Sequence, residues 1–487
     1  MIDLKQLRDN PERFKHGARD KGIAVDIDRL LRLDDQRRQL IADKEARQAE
    51  QNRLGKEIGP QIGKYKGQLK KATDPAAREA LQADIRQLEE RPVRLKAEIQ
   101  AFEQQLAAIE PEFDALLIRV PQPPDPDVPR GTSAADNIEI KRWNPPWFDP
   151  RKSFRQNMGF DPKSHIDLMQ LHGMVDFERA VKIAGARHYC LTGDGMKLAQ
   201  AVLRFAFDHI TNNHGFRPVS VPVIVREECM VGTGFFPDGR EQAYHIPESQ
   251  RGSGQDVFLT GTGEVGLMGL HADEILESDM LPLKYATVST CFRREAGAAG
   301  KDTAGLFRVH QFDKVEQVVI CKADESESRA WHQRMIGIVE ELLQALELPH
   351  RLLQCCTADL GPKNADMIDL ECWMPSRGEV IHAGPDAHAE PDALGRSGSS
   401  QGGGVPSGAY GETHSASRLY DFQCRRLNMR YRGPDGKPVF CHSLNNTVAA
   451  VPRLLVPIIE MYQNEDGSIT VPGALRPSMN GQERIGE

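Results

Sequence analysis

Apolar residues spaced alternately by four and three positions run through residues 81–116 and limit the possible folds of this chain more than any other feature. The series has one missing member, at Pro92, where we expect a local kink. A stripe with this spacing is typical of a coiled-coil seam. Its members are Leu81, Ile85, Leu88, Leu95, Ile99, Phe102, Leu106, Ile109, Phe113 and Leu116.

A second helical pattern precedes the first. It carries Leu30, Leu33, Leu40, Leu54 and Ile58, and the turn-rich stretch GPQIGKYKGQLKKATDP (59–75) separates the two patterns. We therefore predict an antiparallel helical hairpin within residues 1–118, with its turn in 59–75.

The predicted tip of this hairpin is basic, and acidic residues nearby are few. Clustered lysines either form a solvated helix end or contact a phosphate backbone, where they gain affinity by releasing counterions. Composition alone leaves both readings open. The residues, called the tip lysines below, are Lys56, Lys64, Lys66, Lys70 and Lys71.

The pattern changes after the hairpin. Residues 119–150 are rich in proline and predict a linker, because proline cannot continue a helix. Short β-branched runs then alternate with helical stretches, which predicts an α+β domain over 151–487, built on an antiparallel sheet with flanking helices. Residues 377–408 contain EPDALGRSGSSQGGGVPSG and predict a mobile surface insertion.

Composition narrows the class of protein. The 487 residues carry a net charge of −8, which argues against a generally basic surface. We find no apolar run long enough for a membrane span and no secretory signal at the start. The nine cysteines are scattered without a CxxC pair, so we expect reduced thiols and a cytoplasmic protein.

The stretch CFRREAGAAGKDTAGLFRVHQFDKVE (291–316) carries charged and aromatic residues suited to an anionic ligand. In a hairpin, Arg293 and Arg308 can project toward one ligand, Phe312 can offer a flat face, and Glu295 can accept from an exocyclic amine. Guanidinium groups suit phosphate oxygens because their donors form a rigid, charged fork. The alternative is an ordinary hairpin with surface ion pairs.

Three other stretches add to this chemistry. HSLNNTVAAVPRLL (442–455) places Arg453 in a predicted helix behind Asn445 and Thr447. In GETHSASRLYD (411–421), Glu412 and Ser415 are candidate oxygen ligands for Mg²⁺. In TGTGEV (260–265), Thr262 and Glu264 are two apart and predicted to face one side of a strand.

Taken together and in order, these stretches resemble seryl-tRNA synthetases of the bacterial type. FRREAG with GLFRVHQFDKVE resembles motif 2 of the class II synthetases, SLNNTVAAVPR resembles motif 3, and RPVSVPVIV (217–225) resembles motif 1. The N-terminal hairpin resembles the family's tRNA-binding arm. The resemblance implies a homodimeric serine–tRNA ligase that uses ATP, Mg²⁺, L-serine and tRNA(Ser), and tRNA(Sec) where that tRNA exists.

The resemblance also implies roles in ATP binding. Arg293 would hold the α-phosphate and the serine carboxylate, Arg308 and Arg453 would clamp the outer phosphates, and catalysis would rest on Arg293 and Arg453. Phe312 would stack on adenine and Glu295 would take its amino group. Mg²⁺ would be bound by Glu412 and Ser415, and the remaining ATP-site positions would be Val309, Thr413 and His414.

For the amino acid, Thr262 and Glu264 would receive the α-amino group of serine. Glu316 and Thr447 would read its hydroxyl, and Asn445 would complete the pocket. The tip lysines would contact tRNA.

Several residues depart from the family pattern. TGEVG stands for the usual TAEV with a following proline, THSASRL for ISSCSN, NNT for NGS, and Pro452 for a glycine. These departures leave a second hypothesis open. A paralogue could load an amino acid on a non-tRNA acceptor or act as a non-catalytic binding protein, but the retained arm favours the first reading.

Overall fold

The computed structural model describes residues 1–251, 254–297, 302, 304–378, 380–382, 404–406 and 408–486. These residues form two units. One comprises residues 3–15 and 24–120, and the other comprises 1–2, 16–23 and 121–487. We call them the helical unit and the catalytic unit.

The helical unit is dominated by two long helices. After α1 (Leu4–Asp9) and α2 (Pro11–Asp20), the chain forms α3 (Ile27–Lys71) and α4 (Pro75–Leu117). Five members of the stripe are buried, Ile85, Leu95, Ile99, Leu106 and Phe113, and the other five are half-buried. Ion pairs join the two helices, for example Arg29 to Glu112 at 2.6 Å and Arg91 to Glu50 at 2.7 Å. Such exposed pairs add little to stability, because water screens them.

The predicted turn was too long. α3 continues through Gly59 and Pro60 to Lys71, and only residues 72–74 connect it to α4. The reason is that half-buried Ile62, Tyr65 and Leu69 continue the apolar stripe beyond Ile58, so the pairing of the helices continues as well. Asp74 starts α4 by accepting hydrogen bonds from the main chain of Ala76 and Ala77. α4 is one helix through Pro92.

The catalytic unit mixes helices and strands, as predicted. Its helices are α5 (Phe154–Met158), α6 (His165–Leu171), α7 (Phe177–Ala184), α8 (Gly193–Asp208), α9 (Glu227–Gly232), α10 (Glu248–Arg251), α11 (Glu264–Gly269), α12 (Glu325–Ala345), α13 (Phe422–Arg426) and α14 (Val451–Met461). Its strands are β1 (Ile138–Trp143), β2 (Val175–Asp176), β3 (Cys190–Leu191), β4 (Arg217–Pro218), β5 (Ile224–Arg226), β6 (Tyr244–Ile246), β7 (Val257–Leu259), β8 (Ile275–Leu276), β9 (Leu283–Phe292), β10 (Gln311–Cys321), β11 (His350–Gln354), β12 (Asp366–Met374), β13 (Val380–His382), β14 (Gly404–Pro406), β15 (Ala409–Tyr420), β16 (Arg430–Arg432), β17 (Pro438–Phe440), β18 (His442–Ala450), β19 (Ile469–Thr470) and β20 (Arg484–Ile485).

One eight-stranded sheet organises this unit. Its order is β1-β11-β12-β15-β18-β10-β9-β4, and only the β4–β9 pair is parallel. Successive side chains of β10 alternate between the two faces. Val315 and Val319 join the core that includes apolar residues of α8, α12 and α14, whereas Lys314 and Glu316 lie on the opposite face. That opposite face carries the candidate site.

The proline-rich segment belongs, from residue 121 on, to the catalytic unit. The main chain of Gln122 donates to the carbonyl of Pro362, and that of Asp125 to the carbonyl of Ala365, both at 2.9 Å. β1 lies inside the predicted linker and forms an edge of the sheet. The segment 119–150 is therefore ordered by the sheet rather than by its own composition.

The predicted insertion is described only at its ends, where β13 and β14 pair antiparallel. Residues 383–403 lie outside the described residues, so the prediction of mobility stays a prediction. Within the described ranges, no helix is long and apolar enough to cross a lipid bilayer.

Candidate active site

The strands β9 and β10 bring the charged residues of 291–316 together. They pair antiparallel with Phe292 opposite Gln311, so Arg293 lies just beyond β9 and Arg308 just before β10. The main chain of Arg293 donates to the carbonyl of His310 at 2.9 Å, which holds the two sides of the connection together. Glu295 has a φ of 49°, a left-handed conformation that non-glycine residues adopt mostly at strained or functional sites.

A cleft on the sheet face is bordered by the three arginines picked out from the sequence. Arg308 lies 3.4 Å from Glu295, and Arg453, in the first turn of α14, lies 2.8 Å from Glu412. The guanidinium of Arg293 lies 5.4 Å from the ring centre of Phe312. We call this the arginine cleft, and the residues that line it include Arg293, Glu295, Phe307, Arg308, Val309, Phe312 and Arg453. The arginines converge as predicted.

A wider cavity adjoins the arginine cleft. Its volume is about 530 Å³, and its walls include Phe235, Gly261, Arg293, Glu295 and Arg308. Because three of these residues line both spaces, the cleft and the cavity adjoin, and most of the open volume lies in the cavity, since the cleft itself encloses about 20 Å³.

Next to Glu412 lies a buried carboxylate that the sequence reasoning missed. Asp369 in β12 pairs with Ser415 in β15 and is 9% exposed, and one of its oxygens has no hydrogen-bond partner among the described residues. Burial raises the pKa of the Asp369 carboxyl well above its ordinary value, and the negative charge of Glu412 raises it further. Oxygen ligands of this kind fit Mg²⁺. The alternation of Asp369 and Glu371 with apolar neighbours was the available signal.

Thr413 and His414 are turned away from open space. The hydroxyl of Thr413 donates to the carbonyl of Leu370 at 3.1 Å, and the His414 ring lies 3.2 Å from the carbonyl of Val448. Burial lowers the pKa of His414 to about 3, so the ring is neutral at ordinary pH. Any contact of these two positions with a nucleotide would come from their main chain.

The segment TGTGEV does not form the predicted strand. Thr262 lies in a turn after β7, and α11 begins at Glu264, whose main chain donates to the Thr262 hydroxyl at 3.3 Å. Gly263 is required by packing, since a Cβ there would lie 2.5 Å from the Thr287 side chain and 2.9 Å from that of Ser289. Each of the two predicted side chains nevertheless contacts a buried or partly buried lysine.

The first of these lysines is Lys314. It forms an ion pair with Glu316 and donates to the Thr262 hydroxyl at 2.8 Å. Burial raises the pKa of Glu316, and the charge of Lys314 opposes that shift. Thr447 lies opposite Glu316 in the β10–β18 register and therefore shares its face. Sequence reasoning missed Lys314, although its position two residues before Glu316 places both on one side of a strand.

The second lysine is Lys363, which contacts both oxygens of Glu264 at 2.7 and 2.8 Å. The same carboxylate accepts from Gln423 at 2.7 Å and from Asn445 at 2.6 Å. We call Thr262, Glu264, Lys314, Glu316 and Lys363 the lysine pocket. Lys363 comes from the loop before β12, and nothing in its sequence context indicated this contact.

The departures in β15, β18 and α14 have structural uses. Arg418, from THSASRL, is buried and pairs with Asp125 and, at 3.0 Å, with Asp366. Asn446, from NNT, donates to the carbonyl of Met335 in α12 at 3.1 Å, on the other face of the sheet. Pro452 lies in the first turn of α14, where proline is tolerated.

The tip lysines belong to the helical unit. All five lie exposed on α3, and Lys66 pairs with Glu89 of α4 at 2.7 Å.

Two family models match the chain. Residues 1–124 match the seryl-tRNA synthetase N-terminal domain, and residues 246–462 match the class II tRNA synthetase core domain for G, H, P, S and T. A serine–tRNA ligase of Deinococcus radiodurans is 38% identical over 100% of this chain and 99% of its own length. One of Thermomicrobium roseum is 37% identical over 100% and 95%. The chain belongs to the seryl-tRNA synthetase family.

Solved structures of this family agree with the fold. The seryl-tRNA synthetase of Pyrococcus horikoshii, complexed with ATP, has a TM-score of 0.78 at 34% identity and covers 100% of this chain and 99% of its own. The cytoplasmic serine–tRNA ligase of Naegleria fowleri, in complex with AMP, has a TM-score of 0.75 at 27% identity, covering 98% and 95%. Both parts of the chain therefore belong to one family architecture, an N-terminal helical arm and a class II synthetase core.

Proposed function

We propose that this chain is a serine–tRNA ligase that activates L-serine with ATP and transfers it to the 3′ end of tRNA(Ser). The observation that carries the proposal is the position of Arg293. It borders the arginine cleft, and its Nε also donates to the carbonyl of Gly261, next to Thr262 of the lysine pocket, at 3.3 Å. One side chain thus reaches the places proposed for ATP and for the amino acid.

ATP would occupy the arginine cleft. Arg293 would hold the α-phosphate, Arg308 and Arg453 the outer phosphates, and Phe312 the adenine ring, with Glu295 at its amino group. Each of these arginines now contacts a carboxylate or a ring, so polyphosphate oxygens would replace existing partners. The relatives solved with ATP and AMP support nucleotide binding by this fold.

Serine would lie beside it in the lysine pocket. Its carboxylate attacks the α-phosphorus in line, forming seryl-adenylate, and pyrophosphate leaves. The terminal ribose hydroxyl of tRNA then attacks the seryl carbonyl and AMP leaves. Positioning and charge neutralisation carry the first step.

The polar groups of the pocket would select the amino acid. Thr262 and Glu264 would receive the α-amino group, and Glu316 with Thr447 would bind the hydroxyl, with Asn445 completing the pocket. Alanine has no hydroxyl and would lose these hydrogen bonds, and loss of built-in hydrogen bonds can discriminate by about 10⁴–10⁵.

Mg²⁺ would be held by Glu412 and Ser415, with Asp369 beside them. A divalent ion at this place would neutralise phosphate charge. The buried oxygen of Asp369 that has no hydrogen-bond partner among the described residues supports a cation there.

The tip lysines would contact the tRNA backbone, and the same contact would serve tRNA(Sec) where that tRNA exists. Their exposure supports this role. Such a contact is independent of the tRNA sequence, because lysine binds the phosphate rather than the base.

We also propose a homodimer that pairs through the motif 1 segment. Ile224 in that segment is 51% exposed, and Val288 in β9 is 42% exposed, so apolar surface is available at both places. Light scattering on Ile224→Glu should show a monomer where the wild type is a dimer.

Charging of tRNA(Ser) with labelled serine tests the function. The wild type should form seryl-tRNA, and Arg453→Ala should reduce the rate by about 10²–10³, the loss expected for a group that stabilises transferring charge. Arg432→Ala, at an exposed ion pair, is the matched control. Serine activation without transfer to tRNA would instead favour the paralogue with another acceptor.

A further inference from the structure

Glu264, the group proposed to receive the α-ammonium of serine, already accepts hydrogen bonds from three side chains. Lys363 contacts both oxygens, whereas Gln423 and Asn445 contact only Oε1. Each carboxylate oxygen offers about two lone-pair sites, so Oε1 is crowded, whereas Oε2 has Lys363 as its only donor among the described residues. A substrate ammonium would therefore reach this carboxylate at Oε2, where it meets Lys363.

Lys363 is the only full charge among these donors, and it is held firmly. Its side chain is 14% exposed, and its Nζ lies 4.2 Å from the ring centre of Phe235. Phe235 also lines the cavity of about 530 Å³, so a single side chain links the lysine to the wall of that open space. The aromatic face of Phe235 stabilises the ammonium of Lys363.

The charges of the lysine pocket cancel. Lys314 neutralises Glu316, and Lys363 neutralises Glu264. Without Lys363 the pocket would carry one net negative charge, which favours an ammonium. With it, the incoming ammonium meets a neutral pocket and a like charge beside its own acceptor.

We propose that Lys363 is the resident counter-ion of Glu264 and competes with the α-ammonium of the amino acid for this carboxylate. It thereby sets the KM for the amino acid and lowers the discrimination between amino acids and analogues that lack the ammonium. The proposal rests on the assignment of Glu264 to the amino group under the proposed function.

The test compares Lys363→Met with the wild type, using L-serine and glycerate as probes. Glycerate carries a hydroxyl where serine carries its ammonium. In ATP–pyrophosphate exchange, the variant should lower the KM for serine by about tenfold, since removing a like charge near an ion is worth one or more pKa units. The change in KM should be larger than any change in kcat. The inhibition constant for glycerate should not fall, because glycerate has no ammonium that could bind Glu264 in the place of Lys363.

Thermal unfolding provides a second test of the competition between Lys363 and the ammonium. Without serine, Lys363→Met should melt below the wild type because Glu264 loses its cation, and saturating serine should raise its melting temperature more than that of the wild type. Lys437→Met, at a side chain 81% exposed, is the control. If the methionine variant does not fold, Lys363→Gln, which keeps a donor, is measured in the same way.

A KM for serine that stays constant or rises in the folded variant that is measured overturns the competition and makes Lys363 a support for Glu264. An equal fall in the KM for serine and in the inhibition constant for glycerate overturns the competition too, since the effect would then be independent of the ammonium. A wild type that activates a different amino acid contradicts the proposed function instead, and the competition is then measured with that amino acid and its 2-hydroxy analogue.

Discussion

The arginine cleft and the lysine pocket both pair cations with carboxylates, but at different depths. The side chains of Arg308 and Glu295 are 34% and 14% exposed, and those of Arg453 and Glu412 are 20% and 42% exposed. In the pocket, Lys314 and Glu316 are 5% and 3% exposed. The same kind of interaction thus lies near water in one region and away from it in the other.

This difference in exposure indicates which ion pairs a substrate can replace. Partly exposed pairs are weak, so polyphosphate oxygens can take over the arginines at low cost. In a buried pair, the removal of one partner leaves an uncompensated charge. We infer that the cleft is built to exchange partners, whereas the Lys314–Glu316 pair holds the pocket in shape.

The largest expected effect comes from breaking the buried pair. Lys314→Met leaves Glu316 buried without its cation and should lower the free energy of unfolding by about 3–5 kcal/mol. Urea unfolding followed by circular dichroism measures this. Arg432→Met breaks the pair with Glu277, whose side chains are 56% and 61% exposed, and should cost no more than about 1 kcal/mol. Equal losses of unfolding free energy in the two variants would mean that burial does not determine how much an ion pair contributes to stability.

In the arginine cleft the effect should fall on rate and not on stability. Arg293→Ala should reduce serine-dependent ATP–pyrophosphate exchange by about 10²–10³, because a preorganised charge next to the reacting phosphate is lost. The neighbouring Arg294 is exposed, so Arg294→Ala is the control and should stay near the wild type. If Arg293→Ala lowers the stability of the fold while the folded protein exchanges at the wild-type rate, the assignment of Arg293 to the α-phosphate is contradicted.

Asp369 sharpens the comparison because it is a buried carboxylate that forms no ion pair with any of the described residues. If it supports a Mg²⁺ site, Asp369→Asn should raise the Mg²⁺ concentration needed for half-maximal exchange by about 10–100-fold, the usual cost of losing an outer partner of a metal ligand. Asp435→Asn, on an exposed turn, is the control. An unchanged Mg²⁺ requirement would remove Asp369 from the metal site.

The smallest effect is expected in the helical unit, which supplies none of the ion pairs proposed to act in the formation of seryl-adenylate. Alanine at Lys64, Lys66, Lys70 and Lys71 should reduce kcat/KM for tRNA charging by about tenfold through lost phosphate contacts and spare exchange. The control makes the same change of charge elsewhere, at Lys152, Lys182, Lys197 and Lys437. An equal fall of both activities would show that the arm assignment is wrong.

Local pattern was sufficient for some features of this molecule. The stripe that includes Leu95 and Phe113 predicted the long helices, and the ordered charges around Arg293 predicted a convergent cleft. The turn after Ile58 was predicted too long because Gly59 and Pro60 outweighed the apolar positions beyond them. Thr262 and Glu264 were predicted on a strand because spacing by two fits a strand, whereas tertiary packing of Gly263 against β9 selects a turn and a helix.

Contacts that join distant segments could not be predicted. Lys363 meets Glu264 across 99 residues of sequence, and the charge of a lysine in a loop does not indicate its partner. The packing of Asp125 on Arg418 is of the same kind, because a proline-rich composition conceals a backbone that the sheet orders. Such contacts depend on the sheet topology, which only the folded chain supplies.

The most direct test of the central claim is amino-acid-dependent ATP–pyrophosphate exchange by the purified chain without tRNA. Serine, threonine, alanine and glycine are compared at equal concentration. We expect exchange with serine and none above background with alanine or glycine, which lack the hydroxyl proposed to bind Glu316 and Thr447. Exchange with another amino acid in preference to serine, or with none of the four, would contradict the account.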